Sequence, residues 1–247
     1  MQFGAIIIGD EIMSGKRQDK HMAQAIATLG GRGLEFAWFQ YLADDPVLIT
    51  ATLRRTLATD DVVFSFGGIG ATPDDYTRQC AADALGVGLI LHPDAEVEIR
   101  GRFGADITPQ RLAMGEFPRG SRIIPNPYNR IPGFNLGHHH FLPGFPQMAW
   151  PMMAWVIDNW YAQLHAAGQV AESAIVVRGA GESQLIDLMN ATLACFPGMK
   201  VFSLPHMSET DRYIELGVRG DTEKVPAAIA DLKSGVVALG FTWTDAP

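Results

Sequence analysis

Residues 62–75 read VVFSFGGIGATPDD. An apolar, β-branched run ends in three glycines within four positions, followed by a Thr-Pro pair and two acids. A short apolar run closed by glycine is the pattern of a buried strand. The spacing predicts a strand over 62–66, a glycine turn, and a helix over 73–85 that stops at Gly86. The same unit recurs upstream. Residues 5–8 form a β-branched run ending in Gly9-Asp10-Glu11, and Met22, Ile26 and Leu29 then recur at helical spacing before Gly30-Gly31. Residues 34–42 read as a second strand. Asp45 is placed to cap a helix that begins at Pro46 and presents Ile49, Leu53 and Leu57 on one face. Strands alternating with helices at this spacing predict an α/β fold with a mostly parallel sheet covered on both faces.

Downstream, Thr108-Pro109 opens a short helix, and Pro118, Pro125, Pro127 and Pro132 keep the chain irregular around a short strand at Ile123-Ile124. Another short strand ends at Phe141-Leu142. The next helix carries Trp150, Met153, Ile157, Trp160 and Leu164 on one face, and its Pro151 should kink it or mark its true start. A boundary is expected between residues 168 and 169, after which the pattern restarts. Strands over 174–178, 200–204 and 213–218 and helices over 183–193 and 225–234 give a β-α-β-β-α order, a small α+β domain. The expected organisation is thus an α/β domain over 1–168 and a small C-terminal α+β domain over 169–247.

The 247 residues carry 19 lysines and arginines against 27 aspartates and glutamates, a net charge of −8. Each of the two expected domains carries −4, so neither is a basic module, and nucleic acid is not an expected partner. The most apolar stretch, 148–157, contains Pro151 and is shorter than the ~20 residues a membrane span needs. No membrane partner is expected. Cys80 and Cys195 form no CxxC pair, and the N-terminus has no basic leader, so a reduced, cytoplasmic chain is expected.

Four segments offer chemistry. Gly67, Gly68 and Gly70 let a backbone approach an anion closely, and Thr72 can cap the helix or contact a phosphate. The competing reading is a tight strand-to-helix turn whose acids, Asp74 and Asp75, favour a helix start. The loop has neither the lysine of a Walker A motif nor a GxGxxG pattern. Adjacent carboxylates repel phosphate unless a divalent cation bridges them, which points to Mg²⁺. Gly9, Asp10 and Glu11 follow the first strand, at the edge where open α/β sheets bind ligands. In Asp44-Asp45-Pro46 the cap accounts for Asp45 and leaves Asp44 unexplained. Asn126 and Asn129, in a Pro-rich loop, can read a base or pterin edge or serve as turn residues. Asp60-Asp61 precedes a strand and belongs to the opposite edge. His138, His139 and His140 alternate faces in a strand, so they cannot share one metal.

Taken in order, GDEIMSG (9–15), DDP (44–46), GGIGATPDDYT (67–77), PNP with PG (125–133) and LPGFP (142–146) resemble the molybdopterin-binding domain family. The likeness is greatest to the N-terminal region of the competence/damage-inducible CinA-like proteins. The family's segments run approximately GDELLxG, GDxP, GGLGPTxDD, NPxGxAPG and LPGVPxEM. RGAGES (178–183) is similar to the start of the small domain that follows in such chains. The resemblance implies a three-layer α/β/α sandwich that binds a nucleotide or a pterin-nucleotide, with molybdopterin as one ligand. It implies that Gly67, Gly68, Gly70 and Thr72 cradle phosphate, that Asp44 and Asp75 are catalytic and metal-binding with Asp74 beside them, and that Asp10 and Glu11 form the first acidic loop. Pro143, Gly144 and Pro146 would close the site. Arg130, Gln147 and the Lys20-His21 pair depart from the family pattern.

The leading expectation is a Mg²⁺-dependent hydrolase of a nucleotide pyrophosphate such as ADP-ribose. The alternatives are a molybdopterin adenylyltransferase of molybdenum cofactor biosynthesis and a non-catalytic nucleotide- or pterin-binding module. A KH-type RNA binder needs a GxxG loop in basic surroundings, which residues 169–247 lack. The deamidase domain of longer family members does not fit within this length, so nicotinamide-nucleotide deamidation is not expected. Aromatics on the 146–164 helix leave room for a homo-oligomer.

Overall fold

The computed structural model of the chain describes residues 1–165, 170–207 and 211–246. Two compact units divide after His165. The boundary expected between 168 and 169 lies outside the described residues.

The first unit begins with β1 (Phe3–Ile8), α1 (Asp10–Met13), α2 (His21–Gly30), β2 (Phe36–Leu42), α3 (Pro46–Leu57), β3 (Val62–Phe66) and α4 (Thr77–Leu85). A small arm follows: β4 (Leu89–Leu91), α5 (Pro93–Phe103), α6 (Pro109–Ala113) and β5 (Glu116–Pro118), with β4 and β5 paired antiparallel. β6 (Arg122–Ile124), β7 (Gly133–Leu136), β8 (His139–Leu142) and α7 (Pro146–Trp160) complete it. The main sheet has the order β2-β1-β3-β8-β7-β6. Its first four strands are parallel, and β7 and β6 add as antiparallel hairpin partners.

Alternation along the strands fills a core on each face. Ala5, Ile7, Phe64 and Phe66 point to a cluster with Ala25 and Leu29 of α2 and Ala149, Met152, Met153 and Val156 of α7. Ile6, Ile8 and Val63 point the other way, to Ile49 and Leu53 of α3, Cys80 and Ala81 of α4, and Ala95 and Phe117 of the arm. The first unit is therefore a three-layer α/β/α sandwich. Phe134 stacks between Phe117 and Phe141, at centroid distances of 4.8 and 4.4 Å, and joins the arm's strand to the sheet.

Asp45 caps α3 as its position predicts, accepting from Val47 N (2.8 Å) and Leu48 N (3.2 Å). Asp45→Ala is expected to cost about 1 kcal/mol, read as a lower urea midpoint with unchanged slope; an unaltered midpoint would remove the cap from the account of α3. Pro151 neither starts α7 nor ends it. The helix begins at Pro146 and runs through Pro151, which is exposed, so the backbone acceptor that lost its donor lies near water. α4 starts at Thr77 and not at residue 73, because Thr72 and Asp75 close a turn first. The arm's α5 and its β4–β5 pairing have no counterpart in the sequence reading.

His139 and His140 are buried on opposite faces of β8, as alternation requires. His139 Nε2 meets Thr56 Oγ1 of α3 at 2.9 Å, whereas His140 Nε2 meets the Tyr161 hydroxyl at 2.9 Å. His138 Nδ1 reaches the same hydroxyl at 3.0 Å. Asp61, at the opposite edge from the glycine loop, accepts from Gln2 N and Trp38 Nε1.

The second unit contains β9 (Val170–Arg178), α8 (Ile186–Cys195), β10 (Lys200–Met207), β11 (Arg212–Asp221), α9 (Val225–Ala238) and β12 (Thr242–Asp245). Its antiparallel sheet has the order β10-β11-β9-β12. Ile175, Val177, Leu216 and Val218 pack with Leu232 and Val236 of α9. The expected β-α-β-β-α order is present, and β12 extends it by one short edge strand. Pro205 is tolerated in β10 because that strand is an edge.

Candidate functional site

The carboxyl ends of the four parallel strands meet at one edge of the first unit's sheet. The chain leaves β1 at Gly9, β2 before Asp44, β3 at Gly67 and β8 at Pro143. Gly9 N donates to Leu42 O (3.1 Å) and Gly67 N to Leu142 O (3.0 Å), so neighbouring exits are stitched together. β1 connects to β2 on one side while β3 lies on the other, and this reversal opens a crevice between β1 and β3.

Gly67 and Gly68 have φ of 105° and 70°, a backbone region that favours glycine. A Cβ on Gly67 would collide with the Ile8 carbonyl oxygen, and one on Gly68 with the Thr77 hydroxyl. Thr77 holds the loop from the start of α4: its N donates to Gly68 O (2.9 Å) and its Oγ1 to Gly67 O (3.0 Å). The Gly67 N–H is spent on Leu142, so Gly67 shapes the turn and does not itself donate to an anion.

Arg78 is the side chain that the sequence reading passed over. An arginine in the first turn of a helix reads as a solvated charge, yet this one is only 4% exposed. Its Nη2 donates to Gly70 O (2.7 Å), and its Nη1 donates to Ala113 O and, at 3.4 Å, to Glu116 O. The guanidinium thus fastens the glycine loop to the arm. Burial lowers its pKa, opposed by the charges of Glu116 and Asp75.

Asp10 and Asp44 are locked reciprocally: Asp10 N donates to Asp44 Oδ2 (2.8 Å), and Asp44 N to Asp10 Oδ1 (3.1 Å). Burial holds the Asp44 carboxyl above the ordinary carboxylate range. The Asp10 N–H opposes this, and the charges of Asp10, Glu11 and Asp74 add to it. Asp75 Oδ2 accepts from Thr72 N (2.8 Å) and from the Thr72 hydroxyl.

A cleft of about 150 Å³ is lined by Gly9, Glu11, Arg17, Asp44, Gly67, Gly68, Asp74, Asp75, Gly144 and Phe145. A larger cavity of about 370 Å³ shares Glu11, Arg17, Gly144 and Phe145 with it and is continued by Gln18, Lys20, His21, Pro146 and Gln147. The structure therefore brings together Gly9, Glu11, Asp44, Gly67, Gly68, Asp74, Asp75, Gly144 and Pro146. Asp10, Gly70 and Thr72 support that set through the bonds described. Pro143 is not on either cavity wall. Asn126 is turned away: its side chain donates to Ile131 O (2.9 Å) and accepts from Tyr128 N (3.0 Å), holding its own loop. Asn129 likewise accepts from Ile131 N (3.0 Å). Arg130, at φ 65°, pairs with Glu98 at 2.8 Å. Among the described residues no helix is long and apolar enough to cross a membrane. Cys80 and Cys195 are both free.

A mainly parallel sheet between two helical layers, with a glycine loop and acids at its carboxyl edge, defines an α/β ligand-binding domain of the open-sheet class. Residues 4–163 match the family described as "Probable molybdopterin binding domain", and the chain belongs to it. The chain is 36% identical over 153 residues to the CinA-like protein of Anaeromyxobacter sp. (strain K), covering 59% of this chain and 38% of that one. It is 30% identical over 218 residues to the CinA-like protein of Chlorobium luteolum, covering 83% of this chain and 50% of that one. The chain thus spans half or less of the length of these curated relatives. The crystal structure of the protein CinA with unknown function from Thermoplasma acidophilum is 31% identical, with a TM-score of 0.58, and the match covers 64% of this chain and 96% of that one.

Proposed function

We propose that the first unit binds a phosphorylated pterin or nucleotide at this edge and hydrolyses a phosphoanhydride bond in it with the help of Mg²⁺. One observation carries the reading. Asp44, already raised by burial and by three neighbouring acids, sits in the same cleft as a side-chain-free glycine turn. Such a cleft repels a bare phosphate and suits a phosphate accompanied by a cation.

The donor set fits Mg²⁺. Among the described residues no three His, Cys, Asp or Glu side chains stand grouped to cage a metal. Mg²⁺ needs no such cage, since it commonly takes one or two carboxylates, substrate phosphates and water. Asp44 would hold it, with Asp74 or Asp75 facing from the glycine loop. When bound, the ion would neutralise phosphate charge and make a coordinated water more acidic. Gly67 and Gly68 leave space for the phosphates. Asp44's part would be to hold the ion, and the proton lost by the attacking water would pass to bulk solvent at the open cleft. Arg17 supplies positive charge at the wall shared by the two cavities.

The test is turnover by the purified chain with and without Mg²⁺, using ADP-ribose, FAD, and ATP with or without molybdopterin. Metal-dependent cleavage of a dinucleotide supports the reading. ATP consumption only when the pterin is present assigns adenylyl transfer in its place. The hold of Thr72 on Asp75 favours a second reading, a non-catalytic binding module. A ligand that raises the melting temperature only with Mg²⁺, yet is never turned over, would establish it. Asp44→Asn separates site from scaffold. Because the folded state disfavours the Asp44 charge, the variant is expected to melt no lower than wild type at pH 7.5 while losing turnover. Retained turnover would exclude Asp44 from the chemistry.

A further inference from the structure

We infer that the larger cavity is a second anion subsite, one that takes a phosphoryl group directly on Arg17 and Lys20 without a metal. The substrate class is then a phosphoanhydride whose remaining part carries a further phosphate. This deepens the proposed function and rests on it for the role of the neighbouring cleft.

The segment GKRQDKH, residues 15–21, holds four basic or potentially basic side chains and one acid. That acid is fully occupied: Asp19 accepts from His21 N (2.8 Å), Met22 N (3.0 Å) and the Tyr41 hydroxyl (2.8 Å). Its three bonds cap α2 and pin β2, and it forms an ion pair with neither Arg17 nor Lys20. Neither cation makes an ion pair among the described residues, although both line the cavity. Gln18 and Gln147 add amide donors to the same wall.

His21 fixes this wall in place. It is 6% exposed, stacks on Phe66 (centroids 4.6 Å apart, 24° between planes), and its Nε2 donates to Gly144 O (3.1 Å). Its Nδ1 is buried without a partner. With Nε2 donating, Nδ1 can only accept, so the ring fixes the wall and does not itself meet the anion; the two unpaired cations on the cavity are what protein groups leave unfinished. The two cavities differ in sign. The acids Asp44, Asp74 and Asp75 belong to the smaller cleft alone and Lys20 to the larger cavity alone, with Arg17 and Glu11 on the shared wall. A ligand seated across both meets a cation-requiring half and an anion-accepting half.

The experiment is calorimetric titration of the full chain with inorganic phosphate in EDTA at constant ionic strength, pH 7.5. Wild type is expected to bind. The R17Q/K20Q double variant is expected to bind about tenfold more weakly or worse, the scale of one charged hydrogen bond. Both cations are exposed, so the double variant should keep the wild-type melting temperature without phosphate. Equal phosphate affinity in wild type and R17Q/K20Q, or no affinity in wild type beyond that of chloride, overturns the inference. Because no divalent ion is present, this result is independent of whether the Mg²⁺-dependent hydrolysis holds.

Discussion

Urea unfolding of the first unit is expected to lose about 3 kcal/mol of stability between pH 6.5 and pH 4 through His139 alone, at roughly 1.4 kcal/mol per pH unit. His139 is pushed down from 6.5 to about 4, chiefly by burial, with the neighbouring His138 charge adding to it and Asp61 opposing it. The unfolded chain takes up the proton near pH 6.5 and the folded chain only near 4. The stability is therefore intact above the unfolded value and is lost as pH falls toward the folded one. His140, well below 6.5 for the same reason, and His21 shift in the same direction. The check is a series of urea titrations from pH 7 to pH 4. His139→Gln keeps a group that can bond Thr56 and removes the titration. Its slope of stability against pH should fall by close to one proton, and an unchanged slope would refute the assignment.

Gly67→Ala is expected to destabilise the first unit by about 3 kcal/mol and to abolish ligand binding at the cleft. Two costs combine there. At φ 105° a side chain is strained by its own backbone, and the new Cβ runs into the Ile8 carbonyl oxygen, a backbone atom that cannot swing aside. Gly15 provides the contrast: at φ 72° it faces open space, so Gly15→Ala should cost only about 1 kcal/mol. Comparable melting temperatures for the two variants would show that the loop yields without resistance.

The fold was legible where the signal is local and repeated. The strand–glycine–helix unit at 62–85 and the Asp45-Pro46 cap are short-range patterns, and the sheet keeps them. The arm was not legible. β4 and β5 each have three residues, and α5 carries charge around most of its surface, so neither leaves a periodic signal. β12 is missed for a like reason: TWTD is polar, short and at a sheet edge. At the site, the positions of Gly67, Asp44 and Glu11 followed from their places after strands. The burial of Arg78 did not, because it depends on carbonyls 35 and 38 residues away. Asn126 shows the reverse error, an amide that looked available and is consumed by its own turn.

The Arg78 clamp also bears on how the molecule fails in acid. A guanidinium stays charged throughout the range in which the buried histidines take up protons, and its acceptors are backbone carbonyls that do not titrate. The glycine loop is therefore tethered by bonds indifferent to pH, within a sheet whose stability is sensitive to it. Its shape should persist down the acid limb and then vanish together with the core, in a single cooperative event and not by gradual loosening.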